Sequence, residues 1–450
     1  MFDVAADNDD LRFSLGGPPP AGVAAAMGSD FRRKHDHGVS SVGDMELDVI
    51  PSSREWVLRT PTVWFMAFAA ALGTASMYPL YPAIAELAES LQASTAAAGT
   101  ALACGPIGYL VGLALLVPLV DRYAARAVVS VQFAALAAVL AATAAVGSPW
   151  PLGLAVGLVG AGSSIGAQLS SVAGRFAASH KRATVLGIVT AGISAGILAG
   201  RIVGGWLTDV VGWRGMLLVF AAACVGCAVA ARVALPAAAG TATAGYLATL
   251  RGMPALFTRH PALRLAAIRG SLWFFAFCAI WAGLAVALSQ PPFSYSPERI
   301  GLYAVAGILG IIATRIAGTW TDRIGARQVI LLGLPLAIAS TAILAVTLSN
   351  TALTLLCLGL FDAGLFAAQV ANQSTVLAID PTSPARFISA YMVVYFIGGS
   401  LGTAFGAAAV GWFGWTTTAM AAATATILAA IITALTGRVS TRLSSPDGLH

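Results

Sequence analysis

The sequence predicts an all-α membrane protein with twelve transmembrane helices, arranged as two six-helix bundles that repeat each other in parallel order. Three observations carry this prediction. Of the 450 residues, 58% are hydrophobic and 10% are charged, whereas a soluble domain carries about 25% charged residues. Apolar runs of about 20 residues, each long enough to cross a bilayer as a helix, recur along the chain. Residues of the first half also recur about two hundred positions later.

The internal repeat joins three separate segments at a nearly constant offset. A shift of 202 positions matches three glycines and a tryptophan with the same residue types, namely Gly196, Gly200, Gly204 and Trp213 with Gly398, Gly402, Gly406 and Trp415. A shift of 201 does the same for three charged residues and a glutamine, namely Asp121, Arg122, Arg126 and Gln168 with Asp322, Arg323, Arg327 and Gln369. Chance would not preserve the offset across three segments, so the chain is a duplication, as in transporters built from two like bundles.

The elements follow in order from a polar arm. Residues 1–60 are predicted to form a disordered cytoplasmic arm, since they are polar and lack the pattern of a signal peptide. The N-terminal bundle is predicted at 61–235, a cytoplasmic linker at 236–264, the C-terminal bundle at 265–437 and a cytoplasmic tail at 438–450. The apolar runs place the helices at 62–84, 95–118, 125–146, 150–174, 183–207, 213–234, 265–289, 299–321, 327–348, 351–376, 386–410 and 414–436.

Basic residues set the expected orientation. With the amino terminus inside, 21 of the 25 Lys and Arg residues fall on the cytoplasmic side, two on the opposite side, and Arg201 and Arg315 within spans. This excess predicts that both termini are cytoplasmic, and the expected location is the plasma (inner) membrane. The formal net charge of +6 is attributed to these basic loops beside the bilayer, and no nucleic-acid partner is expected.

A stripe of small residues marks the fifth predicted span. Gly196, Gly200, Gly204 and the adjacent Gly205 lie along one side of a helix, where another helix can approach to backbone contact. Arg201 lies amid this stripe. One interpretation is a packing groove whose arginine extends to the membrane surface. The other, which we adopt, is a moving interface between the two halves of a transporter.

Two charged loops form the next repeated feature. The loop after the eighth span contains Gly318, Asp322, Arg323, Gly325 and Arg327. The loop after the second span contains Asp121, Arg122 and Arg126, with Val117 and Ala124 where the other copy has glycines. The fuller copy resembles the Gly-x-x-x-Asp-Arg-x-Gly-x-Arg loop of the major facilitator superfamily. The resemblance implies a latch that joins the bundles in one state and releases them in another; the alternative is ordinary anchoring charge.

The glycine stripe carries a second resemblance to this superfamily. Gly196-x-x-x-Gly200-Arg201-x-x-Gly204-Gly205 is similar to the antiporter motif of fifth helices, with an arginine in the usual proline position. Within the superfamily, the sequence most resembles the twelve-helix drug-efflux and arabinose-efflux-permease-like branch. The resemblance implies alternating access and export of small molecules against a proton gradient. Val156 occupies the position of an arginine found in many proton-coupled exporters, so coupling is not carried over on that residue.

One acidic residue is predicted to lie deep in the membrane. Asp362 lies eleven residues into the tenth span, about 16 Å from its start, where a charge costs roughly 2.5–3.5 kcal/mol. We interpret it as the proton-coupling site; the alternative is a protonated or structurally paired carboxyl group. The candidate neighbours in the cavity are Gln168, Gln369, Asn372, Gln373, Trp281 and the two intramembrane arginines, Arg201 and Arg315. The sequence does not decide which arginine Asp362 faces.

These features predict a secondary active transporter that exports small molecules or drugs by alternating access, driven by protons. The alternative is a proton symporter or uniporter for uptake of a small metabolite. A membrane enzyme or sensor is disfavoured, because the sequence shows neither a catalytic constellation nor a soluble output domain. The expected partners are a small-molecule substrate, protons and the lipid bilayer. No cofactor or metal is expected, and the protein is expected to be a monomer.

Overall fold

The computed structural model describes residues 58–178, 181–238, 253–380 and 384–443, and this part of the chain is helical apart from turns and short connections. Within these residues, nine helices are long and apolar enough to cross a membrane, and two of these are more than 50 residues long. The long helices, Arg182–Ala234 and Pro384–Leu443, each turn at a glycine with positive φ. Each therefore supplies two crossings, and the shorter apolar helix Thr60–Ala75 completes the set.

The crossings number twelve within the described residues, which confirms the predicted set. We label them α1 to α12 in chain order: Thr60–Ala75, Thr95–Asp121, Ala125–Ala144, Pro149–Phe176, 182–211, 213–234, Pro261–Ser289, Pro297–Ile324, Ala326–Leu344, Thr351–Leu377, 384–413 and 415–443.

Local sequence explains several helix ends. α1 ends at Ala75, earlier than the predicted 84, because Pro79 and Pro82 follow and proline cannot continue a helix. A short helix, Ile84–Ser90, follows this turn. The Asn350 side chain accepts a hydrogen bond from a backbone N–H in the first turn of α10, at 3.1 Å, and so caps that helix.

The two glycine turns belong to the repeat. Gly212 (φ 72°) separates α5 from α6, and Gly414 (φ 79°) separates α11 from α12; positive φ is a conformation that glycine adopts without strain. A tryptophan follows each glycine and fixes the turn through its indole N–H. Trp213 donates to Ser90 Oγ at 2.8 Å, and Trp415 donates to a backbone carbonyl of α9 at 3.0 Å.

The glycine stripe of α5 packs inside the N-terminal bundle. A methyl group at Gly196 or Gly200 would strike the backbone of α1, and one at Gly204 would strike Pro79, which follows α1. The prediction of a moving interface between the halves is therefore wrong for these three glycines. Among the stripe residues, Gly205 alone faces the other bundle, where it meets Pro297 at the start of α8.

The C-terminal bundle repeats this packing. Three glycines of α11 meet the backbone or side chain of three residues of α7, namely Gly398 with Ser271, Gly402 with Phe275 and Gly406 with Ala279. The shift of 202 found in the sequence thus corresponds to one packing device used twice, α5 on α1 and α11 on α7. The internal repeat of the sequence is also a repeat of structure.

The two bundles meet away from the charged loops. We call the end that carries Asp121 and Asp322 the motif side, and the other end the opposite side. On the opposite side α5 packs on α8, where Asp209 Oδ2 accepts a hydrogen bond from Glu298 N at 3.2 Å. On the same side α2 packs on α11, where Gly99 meets Ala407.

Parts of the predicted domain boundaries lie outside the described residues. This applies to residues 1–57 of the arm, to 239–252 of the linker and to 444–450 of the tail. The described end of the linker contains a short helix, Met253–Arg259, and α7 begins at Pro261, four residues before the predicted start. The last helix extends to Leu443, beyond the predicted end of the bundle at 437. The assignment of these segments to the cytoplasm stays a prediction.

Candidate transport site

A small void lies where α5, α7, α8 and α10 meet, between the two bundles. Its free volume is about 40 Å³, more than a single buried water requires. Side chains from all four helices line it: Ser194, Ile197, Leu198, Arg201, Phe277, Trp281, Ala304, Gly307, Ile311, Thr314, Asp362 and Phe366. α7 and α10 supply four of these residues, and α5 and α8 supply the other eight.

Asp362 lies in this void with 2% of its surface exposed. Its Oδ1 accepts a hydrogen bond from Trp281 Nε1 at 3.2 Å, so the structure brings together two of the predicted cavity residues. α8 approaches Asp362 closely through glycine, because a methyl group at Gly307 would lie 3.5 Å from Asp362 Oδ2. Asp362 of the C-terminal bundle therefore lies at a point where α5 of the N-terminal bundle contacts the C-terminal bundle.

Arg201 is the arginine that shares the void with Asp362. It is 6% exposed, and four aromatic rings surround its guanidinium within the range of cation–π attraction. The distances from its Cζ to the ring centroids are 4.2 Å for Trp281, 5.4 Å for Tyr78, 5.9 Å for Tyr81 and 5.9 Å for Phe277. Its Nε is buried without a hydrogen-bond partner.

Arg315 and Gln373 lie outside this group. Arg315, on α8, is exposed and does not line the void. Gln373, on α10, is half-buried and likewise does not line it. The sequence did not decide which intramembrane arginine Asp362 faces. In the structure it is Arg201 of α5, which lines the void together with residues of α7 and α10.

Gln168 belongs to a separate cluster inside the N-terminal bundle. Its Nε2 donates to Gln132 Oε1 and to the backbone carbonyl of Leu116, both at 2.7 Å, and Gln132 Nε2 donates to Ser164 Oγ at 3.1 Å. The prediction that Gln168 is a partner of Asp362 is wrong, because these bonds hold its amide within α2, α3 and α4.

Gln369 and Asn372 form a third cluster, inside the C-terminal bundle. Gln369 Oε1 accepts from Tyr391 OH at 2.7 Å and from Trp273 Nε1 at 3.2 Å. Asn372 Oδ1 accepts from Arg269 Nε at 2.6 Å. Arg269, one of the 21 basic residues assigned to the cytoplasmic side, is the ninth residue of α7 and is 6% exposed. Its position shortly after Pro261 was the available signal, since proline often begins a helix.

The first charged loop is held within its own bundle. Asp121 accepts a hydrogen bond from Ser171 Oγ at 3.0 Å and forms an ion pair with Arg175 at 3.9 Å. Arg175 also donates to the backbone carbonyl of Val120 at 2.9 Å. Both members of the ion pair are partly exposed, and surface pairs contribute about 0–1 kcal/mol. The side chains of Arg122 and Arg126 are exposed.

The second charged loop is more open. Asp322 and Arg323 are exposed, and Asp322 has no ion pair within the described part of the chain. Gly325 ends α8 with φ 88°, a left-handed conformation suited to a glycine cap. Arg327 donates to the backbone carbonyl of Ala434 at 3.1 Å, and a methyl group at Gly318 would meet open space.

Twelve helices in two repeated bundles, with a charged void where the bundles meet, define a multi-pass membrane protein of the transporter class. The family model of the Major Facilitator Superfamily matches residues 63–403. The chain belongs to the major facilitator superfamily, as the loop motif indicated.

Similar proteins agree with this assignment. The uncharacterized transporter YgaY of Escherichia coli is 30% identical over 369 residues, which cover 82% of this chain and 93% of YgaY. A probable transporter of Streptomyces coelicolor is 28% identical over 354 residues, or 78% of this chain and 81% of the relative. Among solved structures, a mutant of the nucleoside transporter NupG has a TM-score of 0.69 at 16% identity, covering 83% of this chain and 98% of that one. An inward-facing, occupied bacterial homologue of the lysosomal transporter Spinster has a TM-score of 0.69 at 14% identity, covering 84% and 97%.

Proposed function

We propose that this protein is a proton-coupled secondary transporter that exports small molecules by alternating access. The observation that carries the proposal is that Asp362 and Arg201 line the same buried void between the bundles. Ionisable groups are costly inside a membrane and usually belong to a substrate or ion pathway. A carboxyl group at such a place can take up a proton from one side and release it to the other as the bundles move.

Alternating access requires that the contacts between the bundles exchange sides. The structure has contacts between bundles on the opposite side, where Asp209 caps the first turn of α8. On the motif side, Asp322 is exposed and Asp121 pairs inside its own bundle. We propose that the charged loops latch the bundles in the other state, when the opposite side opens. This supports the role that the resemblance implied for the two loops.

Uptake by proton symport is the second candidate, and the position of Arg201 favours it. A guanidinium near Asp362 competes with the proton for the carboxylate, because each of them neutralises its charge. A substrate anion that binds Arg201 would release Asp362 to take up a proton. Proton and substrate would then travel together, whereas an exporter needs them to exclude each other.

Flux into liposomes distinguishes the two directions. The purified protein would be reconstituted with a pH-sensitive dye in the lumen, and candidate substrates would be added with and without an imposed pH gradient. Export by antiport predicts that a substrate moves against the proton flow, and symport predicts that it moves with it. Proton coupling at Asp362 would be contradicted if the proton flux were the same with and without every substrate, both in the wild type and in Asp362→Asn.

The proposal includes an orientation in the plasma (inner) membrane, with both termini and the linker in the cytoplasm and the protein acting as a monomer. Cysteine replacements of Ser52 and Ser444 test it, although both positions lie outside the described residues. We expect an impermeant thiol reagent to label them in inverted vesicles. Labelling from outside intact cells would reverse the orientation.

A further inference from the structure

Arg201 is a buried cation whose Nε has no acceptor for its hydrogen bond. This atom is enclosed and has no hydrogen-bond partner in the described part of the chain, and the residue as a whole is 6% exposed. The aromatic rings around it attract the positive charge, but their faces do not supply the oxygen lone pairs that its N–H donors need. Leaving such a group unsatisfied is costly, so the arrangement is typical of a site that is completed by a ligand.

The nearby carboxyl group does not complete it. Asp362 accepts a hydrogen bond from Trp281, and no ion pair joins Asp362 to Arg201 in the described chain. The void beside the two groups has about 40 Å³ of free volume, which is room for a small polar group. When Asp362 carries a proton, the charge left in the void is the single positive charge of Arg201.

We propose that this void binds a small organic monoanion, with a carboxylate of the ligand on Arg201 and its apolar body among the surrounding rings. The inference rests on the second candidate for the proposed function, proton symport, and names the substrate class of the same site. A planar guanidinium matches a carboxylate through two parallel hydrogen bonds. Among the described residues that line the void, Arg201 is the only cation, so a second negative charge on the ligand would lie unpaired near Asp362. Apolar lining residues such as Leu198 and Phe366 suit an organic body.

The same geometry couples the anion to a proton. The ionised form of Asp362 repels a bound carboxylate and attracts Arg201, and the protonated form does neither. The other ionisable groups around the guanidinium are Tyr78 and Tyr81, beyond α1, and Cys278 of α7. α8 and α9 bring no ionisable side chain of the described chain to the lining. Proton and monoanion therefore bind together, which fits the second candidate, proton symport, and would argue against export by antiport.

A matched set of ligands tests the charge of the substrate. Benzoate, benzamide and benzylamine share one ring and differ in head-group charge, and hexanoate with its amide and amine gives an aliphatic set. Binding would be measured on the purified full chain by calorimetry and by the shift of its thermal unfolding. We expect the carboxylates to bind and the amides and amines not to bind. As the pH falls through a range in which the carboxylates stay ionised, their affinity should rise by at most about tenfold per pH unit.

Variants locate the binding at Arg201. Arg201→Gln should weaken carboxylate binding by about 10-fold or more, since it removes a charge-assisted pair, and Arg201→Lys should retain the preference for anions with lower affinity. Asp362→Asn should bind carboxylates without pH dependence. Arg214→Gln is the matched control, because Arg214 lies 4.2 Å from the ring of Trp213, the same distance as Arg201 from Trp281, but is exposed.

Three results would overturn the inference: binding of the amines in place of the carboxylates, carboxylate binding that survives in Arg201→Gln, or a folded wild type that no carboxylate stabilises. The first of these leaves the transport function intact if amine flux depends on the pH gradient. Carboxylate binding without flux into liposomes under any pH gradient would instead support the site and contradict the transport function.

Discussion

Two adjacent glycines of α5 face different partners and form a matched pair. A methyl carbon at Gly204 would lie 2.5 Å from Cα and 2.6 Å from Cβ of Pro79, within the N-terminal bundle. At Gly205 it would overlap the carbonyl oxygen of Pro297 and lie 3.3 Å from Glu298 Cα, both in the C-terminal bundle. The same substitution to alanine therefore tests packing inside a bundle at one residue and contact between bundles at the next.

The expected magnitudes follow from this geometry. Overpacking a close contact costs about 1–3 kcal/mol. In Gly204→Ala this cost falls on every conformation, because Pro79 stays in the same bundle, and it should appear as lost stability. In Gly205→Ala it falls only on the state in which α5 and α8 touch. That state should lose population relative to the open one by about 5- to 150-fold, and the hydrogen bond from Glu298 to Asp209 is lost with it.

Thermal unfolding and one spin-label distance separate the two effects. Labels at Val210 and Leu302, which are exposed on α5 and α8, report the opening of the opposite side in a background without the five native cysteines. We expect Gly204→Ala to lower the melting temperature and leave the distance unchanged. Gly205→Ala should lengthen the distance with little change in melting temperature. Equal destabilisation of both variants with an unchanged distance would refute the reasoning.

Three further predictions concern charged and polar groups. Asp362→Asn should abolish flux driven by a pH gradient but leave counterflow of the same substrate, because the neutral asparagine stands in for the protonated carboxyl group and still permits binding; pH-driven accumulation at the wild-type rate would show that Asp362 is structural. At matched expression, Asp322→Asn should reduce the transport rate strongly and Asp121→Asn less, since the second loop is the fuller copy; wild-type rates in both would reject the latch. Asn372→Ala should cost about 1.5–3 kcal/mol of stability, because Arg269 then loses its buried acceptor, and an unchanged unfolding curve would contradict this.

The helices could be predicted from the sequence because the bilayer imposes one simple requirement. A segment that crosses it must satisfy its own backbone hydrogen bonds, so length and hydropathy identify the helix. The proline-rich turn after Ala75 and the glycine turns at Gly212 and Gly414 adjusted the helix ends without changing their number. The loop motif around Asp322 identified the family in the same direct way, since it depends on spacing within one segment.

Partners across helices were harder to predict. A stripe of glycines indicates close approach of some helix, but the pattern is the same for α1 of the same bundle and for α8 of the other. Gln168 was grouped with Asp362 because both are polar in apolar spans, whereas its amide is bound by Gln132 of α3. Rotation of each helix about its axis decides such pairings, and packing of neighbouring helices sets that rotation.

The duplication gives a physical reason to assign function to Arg201 and Asp362. Residues that stabilise the packing of the helices have counterparts in both halves. These are the glycines of α5 and α11 that pack against α1 and α7, and the tryptophans that follow the two glycine turns. The two charged residues of the void have none, because the same offsets place Thr403 opposite Arg201 and Ala161 opposite Asp362. Thr403 is satisfied by a carbonyl of its own helix, at 3.0 Å, so a helix at this position does not need an arginine. Since burying these charges stabilises neither bundle, their presence is best explained by a ligand and a proton that bind where the bundles meet.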